Sequence, residues 1–210
     1  MASYNRNTLI ENLLDQTEII LKKAIEWQLI PHSTFALRPT SESWSANECL
    51  QHLNSYGSFY LPAIESVLSR SVKRESSTQF SSGWLGNYFA KLMTPGIGGK
   101  PSKKMNSPKN HAPKTIIDSR LVISEFIDQQ EKFLALLNTA KKFDLDTVKV
   151  GISIAPFIKL KLGDVFRFVI AHQVRHIFQA ERALANAGVV QEKLKVISLT
   201  SLDRSLVLFY

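Results

Sequence analysis

The stretch that decides the fold runs from 162 to 188 and reads LGDVFRFVIAHQVRHIFQAERALANAG. Val165, Val169, His172, His176, Gln179 and Ala183 advance through it by four, three, four, three and four residues, the stagger of a helix whose seam faces a bundle core. A helix is expected over 165–187, with Asp164 as its N-cap and Gly188 as its stop. Both imidazoles fall on the buried seam. The pair by itself fits two hydrogen-bonded core histidines as well as two ligands of a metal, since a chain with five histidines reaches this spacing by chance.

Working outward, three more segments carry helical periodicity. Leu9, Leu13, Ile20, Ala24 and Trp27 recur at helical spacing over 5–29, with Glu11, Asp15, Glu18, Lys22 and Lys23 between them. Pro31 and Pro39 bracket an irregular connection, after which Ser45 and Glu48 form the S-x-x-E pattern in which hydroxyl and carboxylate cap each other's orphan amides. That pattern opens a second helix over 45–70, with Cys49, His52 or Leu53, Tyr56, Phe59 or Tyr60, Ala63 and Val67 on one stripe and Pro62 as a kink point. A third helix over 118–142 uses Leu121, Val122, Phe126, Phe133, Leu136 and Leu137. Four long amphipathic helices in one chain of this length predict an all-α, four-helix bundle and a single domain over 1–210.

The connection between the second and third helices, 71–114, is long and irregular, broken by Pro95, Pro101, Pro108 and Pro113 and carrying Lys100, Lys103, Lys104, Lys109 and Lys114. Within it SGWLGNYFAKLM is apolar enough for a short helix docked on the bundle. The connector DLDTVKVGISIAPFIKLKLGD has β-branched character, and the tail after Gly188 reads as either a short helix or an extended strap.

His52 changes the reading of the histidine pair. It lies on the apolar stripe of the second helix, so a facing helix can bring it into the same layer as His172 and His176, as bundle cores are built around metals. Three neutral imidazoles suit a divalent transition metal and leave a coordination position for water or substrate. Glu48 and Cys49 each stand about one turn before His52, yet capping accounts for Glu48 and a lone cysteine behaves as a small buried hydrophobe. Gln179 either bonds a ligand or fills the seam. Arg175 is expected to point away from the histidine pair as a surface or rim charge, His32 and His111 to lie in solvated loops, and Trp44 to anchor its loop on the bundle.

Three motifs together resemble the DinB-like, or damage-inducible-like, four-helix-bundle proteins. WSANECLQHL is similar to their Trp-x-x-x-Glu-x-x-x-His signature, KMNSPKNHAPK to their loop of Lys, Met and two spaced prolines, and LGDVFRFVIAHQVRHIFQAERAL to their final-helix signature with His-x-x-x-His-x-x-Gln. The resemblance covers most of the chain. It implies a metal, zinc or nickel, held by His52, His172 and His176 at one end of the bundle core. It also implies a thiol-dependent transferase or related activity on a small-molecule substrate, with a low-molecular-weight thiol as nucleophile. A metal-dependent hydrolase and a non-catalytic metal-binding stress protein are the alternatives, and a homodimer is left open.

Composition narrows the partners. The formal charge of +8 is compatible with an acidic partner, whether nucleic acid, anionic membrane or an acidic small molecule, and does not choose among them; no recognition motif accompanies the charge, so nucleic acid is not expected. One cysteine excludes an internal disulfide framework and fits a reducing compartment. The opening MASYNRNTLIENLLDQ does not read as a signal peptide and no apolar run reaches membrane-spanning length, so a cytoplasmic protein away from membranes is expected.

Overall fold

The computed structural model describes residues 2–73, 77–99, 105–113 and 118–187. Gly188, the tail after it, and Lys100, Lys103, Lys104 and Lys114 lie outside the described residues. In chain order the elements are β1 (Ser3–Asn5), α1 (Arg6–Trp27), α2 (His32–Phe35), α3 (Ala46–Arg70), β2 (Gln79–Ser81), α4 (Trp84–Met93), α5 (Ser119–Ala140), β3 (Lys149–Ile152), β4 (Ala155–Lys161) and α6 (Leu162–Asn186).

Three of the four long helices, α1, α3 and α5, begin where their cap chemistry places them. Asn5 accepts from the Thr8 amide to start α1, and Asp118 accepts from the Arg120 amide to start α5. At α3 the expected capping box is complete: Ser45 Oγ accepts from Glu48 N, and Glu48 Oε2 accepts from Ser45 N at 2.9 Å. Arg38 pairs with the same carboxylate, its Nε donating to Oε2 at 2.8 Å. α3 continues unbroken through Pro62. Its buried stripe runs Cys49, His52, Leu53, Tyr56, Tyr60, Ile64 and Leu68. The stripe therefore ends one position beyond the expected Ala63 and Val67, as a 3.6-residue period drifts from strict three-and-four stepping.

α1 and α3 each pack against both α5 and α6, closing a four-helix ring around Leu13, Ile20, Trp27, Leu50, Phe126, Phe133 and Phe166, all at most 1% exposed. Burying each such side chain contributes about 1.5–3 kcal/mol, and that is what holds the bundle. The α3–α5 contact is close at Gly57, where a Cβ would lie 1.8 Å from Gln129 Oε1, and Gln129 Nε2 donates to the Asn54 carbonyl at 3.1 Å. No helix among the described residues is long and apolar enough to cross a membrane.

The irregular segments hold more order than periodicity revealed. The expected short helix is α4, lying on α6, and β1 pairs antiparallel with β2 to tie the N-terminal segment to the start of α4. The connector before the last helix is an antiparallel hairpin, β3–β4, with a register shift between Gly151 and Ile152. Because β4 runs straight into it, α6 starts at Leu162, and Asp164 is not its N-cap. Instead Asp164, fully buried, accepts from Ser82 Oγ at 2.5 Å and Gly83 N at 2.8 Å and pairs with Arg167 at 3.2 Å. It thus holds the N-terminus of α4 rather than that of its own helix.

Candidate metal centre

α3 enters the bundle antiparallel enough to α6 that its second turn meets the middle of α6, and this brings His52, His172 and His176 together. One nitrogen from each ring lies within 4.8 Å of the other two. His52 Nε2 and His172 Nε2 are 3.1 Å apart, close to the roughly 3.3 Å edge of a tetrahedron with metal–nitrogen bonds of about 2.0–2.1 Å. The rings are 2%, 4% and 8% exposed, so this is a cluster of buried imidazoles and not a surface patch.

Two of the three imidazoles have their outer nitrogen engaged. His52 Nδ1 lies 2.7 Å from the carbonyl oxygen of His111, which only accepts, so Nδ1 carries the proton and Nε2 presents a lone pair inward. His176 Nδ1 donates to Gln179 Oε1 at 3.0 Å, one turn along α6, with the same consequence. Gln179 therefore orients a histidine rather than filling the seam. His172 Nδ1 is buried with no hydrogen-bond partner among the described residues. Carbonyl or amide oxygens behind inward-facing imidazoles form the outer support that metal-binding histidines need.

Burial also sets the charge state. Desolvation pushes the His52 imidazole down to about 4. Desolvation, followed by the neighbouring imidazoles, holds His172 well below its ordinary value. Desolvation, followed by His52 and Arg175, does the same for His176. All three are neutral at neutral pH, the form that ligates a metal. The donor set and its charge state both fit a divalent transition metal.

An aromatic collar surrounds the cluster. The Trp44 ring lies 5.1 Å from that of His52 and 5.9 Å from that of His176, so the residue expected to anchor its loop also packs on the site. Tyr56, one turn after His52, stands 4.4 Å from His172, and Phe168, one turn before His172, lies parallel to it at 5.9 Å. His111 corrects the expectation of a solvated loop residue. It is 4% exposed, its Nδ1 bonds Ser55 Oγ at 2.8 Å, and its ring lies 4.0 Å from Tyr56. Its carbonyl is reached only because the loop folds back over α3, and the signal for it was the KMNSPKNHAPK motif rather than any periodicity. His32 is exposed, with Nδ1 accepting from Ser119 N at 3.1 Å at the start of α5. Cys49 is fully buried and burial pushes its thiol up, which makes it packing and not a nucleophile.

The histidines stand in the wall of a cavity of about 720 Å³, a size that encloses a small molecule. Trp44, Tyr56, Phe89, Met93 and Phe168 line it, and the exposed Glu42, Met105 and Ile154 form part of its rim. Of the two places expected for Arg175, the exposed surface is corrected: it is 9% exposed and lines this cavity, because α4 covers the side of α6 that helical rotation alone would leave to solvent.

A family model described as the DinB superfamily matches residues 22–180, a span that holds all three histidines. No curated protein matches the chain. No solved structure matches it either.

Proposed function

This chain belongs to the DinB superfamily, and from that premise we propose that it is a metal-dependent enzyme acting on a small molecule, with His52, His172 and His176 holding one zinc or nickel ion. The observation that carries this reading is the placement of three inward-facing histidine nitrogens in the wall of a cavity that reaches the surface. A cluster that served only to stabilise the bundle would have no reason to face such a space.

When bound there, a divalent metal supplies Lewis acidity that lowers the pKa of a thiol or water and makes it nucleophilic at neutral pH. The chain's own residues do the rest. The His111 carbonyl and Gln179 Oε1 fix two tautomers so that Nε2 points inward. Trp44, Tyr56 and Phe168 pack around the imidazoles and exclude water from that side, where a lower local dielectric strengthens the attraction between charges. The cavity holds the electrophile within reach.

We assign the nucleophile to a low-molecular-weight thiol, in keeping with the thiol-dependent enzymes that the three motifs resemble. The thiol sulfur forms a bond to an electrophilic carbon, the leaving group departs with its electron pair, and the thiol proton passes to solvent. The test is turnover of a panel of alkyl and aryl electrophiles by metal-loaded protein with cysteine, glutathione, bacillithiol or mycothiol. Product that requires both metal and thiol supports the assignment. Hydrolysis without thiol reassigns the nucleophile to water, and absence of any turnover with metal bound favours a non-catalytic metal protein.

A further inference from the structure

We infer that the cavity beside the histidines takes an amphipathic organic anion, its acidic head on Arg175 and Arg182 and its carbon skeleton along Phe89, Leu92, Met93 and Phe168. The inference rests on the reading of this cavity as a substrate site, and it names the chemistry of that substrate.

The two arginines are seven residues apart on α6, nearly two full turns, so they share a face, and both line the cavity. Arg175 is buried next to the histidines, whereas Arg182 is exposed farther along the helix. Positive charge thus runs along one wall towards the imidazoles. Arg175 donates to the Leu92 carbonyl at 3.4 Å and Arg182 to the Gly99 carbonyl at 2.9 Å, bonds that fix where each guanidinium lies. Arg182 forms no ion pair among the described residues, and the acid on the cavity rim, Glu42, is exposed. A planar guanidinium matches a carboxylate, sulfonate or phosphate by paired hydrogen bonds, and a pair of them along a partly desolvated wall selects for negative charge. Beside the arginines the lining is apolar: Phe89, Leu92 and Met93 come from α4, and Phe168, seven residues before Arg175 on α6, has its ring 6.1 Å from that of Phe89. Head and skeleton of one ligand are therefore separately provided for, which neither a neutral hydrophobe nor a small inorganic anion would use.

The experiment is isothermal titration of the zinc-loaded full chain at low ionic strength with hexanesulfonate, a permanent anion and a poor metal ligand, and with hexanol as its uncharged counterpart. Saturable binding of hexanesulfonate about tenfold or more tighter than hexanol is expected, falling by about tenfold in Arg175→Gln and in Arg182→Gln. Arg182 is exposed, so its variant carries the test where Arg175→Gln does not fold. Equal affinity for the two probes, no binding of hexanesulfonate, or unchanged affinity in the glutamine variants would overturn the inference. Metal content measured on the same samples separates this outcome from failure of the metal reading itself.

Discussion

His52 Nε2 and His172 Nε2 face each other at 3.1 Å across the contact between α3 and α6. Because His52 Nδ1–H donates to the His111 carbonyl, the facing Nε2 holds a lone pair. Two facing lone pairs would repel at this distance, so the contact calls for either a hydrogen on His172 Nε2 or a shared cation. The nearness of His176 to both turns the pair into a three-sided socket that could hold a metal ion.

Gln179 is a positioning residue for this socket. In Gln179→Ala the His176 ring loses the acceptor at 3.0 Å that fixes its tautomer. Metal affinity is expected to fall by about 10–100-fold with little change in melting temperature of the metal-free protein. Competition with a chromophoric chelator measures it. Unchanged affinity would show that the hydrogen bond does not orient the ring.

The depressed histidines give the metal-free protein a signed pH dependence. Unfolded imidazoles take up protons as pH falls through the ordinary 6.5, whereas folded His52 does so only near 4, and burial holds folded His172 and His176 well below 6.5. In that window the unfolded chain binds more protons, so stability falls with pH, by at most about 1.4 kcal/mol per unit for each imidazole. Thermal melts should be flat above neutrality and decline below 6.5, with a shallower decline in His172→Gln. The same burial weakens proton competition for a metal, placing the midpoint of metal release below 6.5. Release at or above that value, or a melting temperature that rises on acidification, contradicts the buried-neutral assignment.

Gly86→Ala tests the buried acid at the other end of α6. Glycine to alanine inside a helix ordinarily stabilises by about 0.5–1 kcal/mol. Here the new Cβ would meet Asp164 Cβ, Cγ and Oδ2 at 2.4 Å, and Asp164 is held by Ser82, Gly83 and Arg167. The clash reverses the sign, to a net loss of about 1–3 kcal/mol read from the denaturant midpoint. A neutral or stabilising result would mean that Asp164 yields freely.

The four long helices were legible because their apolar residues repeat at the period of the helix, and the starts of α1, α3 and α5 because their caps are local. The structured starts at Arg6, Ala46 and Ser119 fall one residue inside the expected ranges. The three histidines were legible for the same reason, each lying on a seam. What escaped depends on contacts distant in sequence. His111 supports His52 from 59 residues away. Arg175 is buried only because α4 lies on α6, and Asp164, an N-cap by local sequence, was claimed by Ser82 and Gly83 once the β4–α6 junction had no bend for it to cap. The β3–β4 hairpin was visible only as β-branched character, since four strand residues with one register shift leave too short an alternation to read.

The most direct measurement is elemental analysis of the purified full chain beside His172→Ala, with helical content of both followed by circular dichroism. The account predicts about one equivalent of zinc or nickel in the unaltered chain and its loss in the variant at nearly unchanged helicity. Failure of the unaltered chain to take up stoichiometric zinc or nickel, or full metal retention by His172→Ala, would contradict the three-histidine centre.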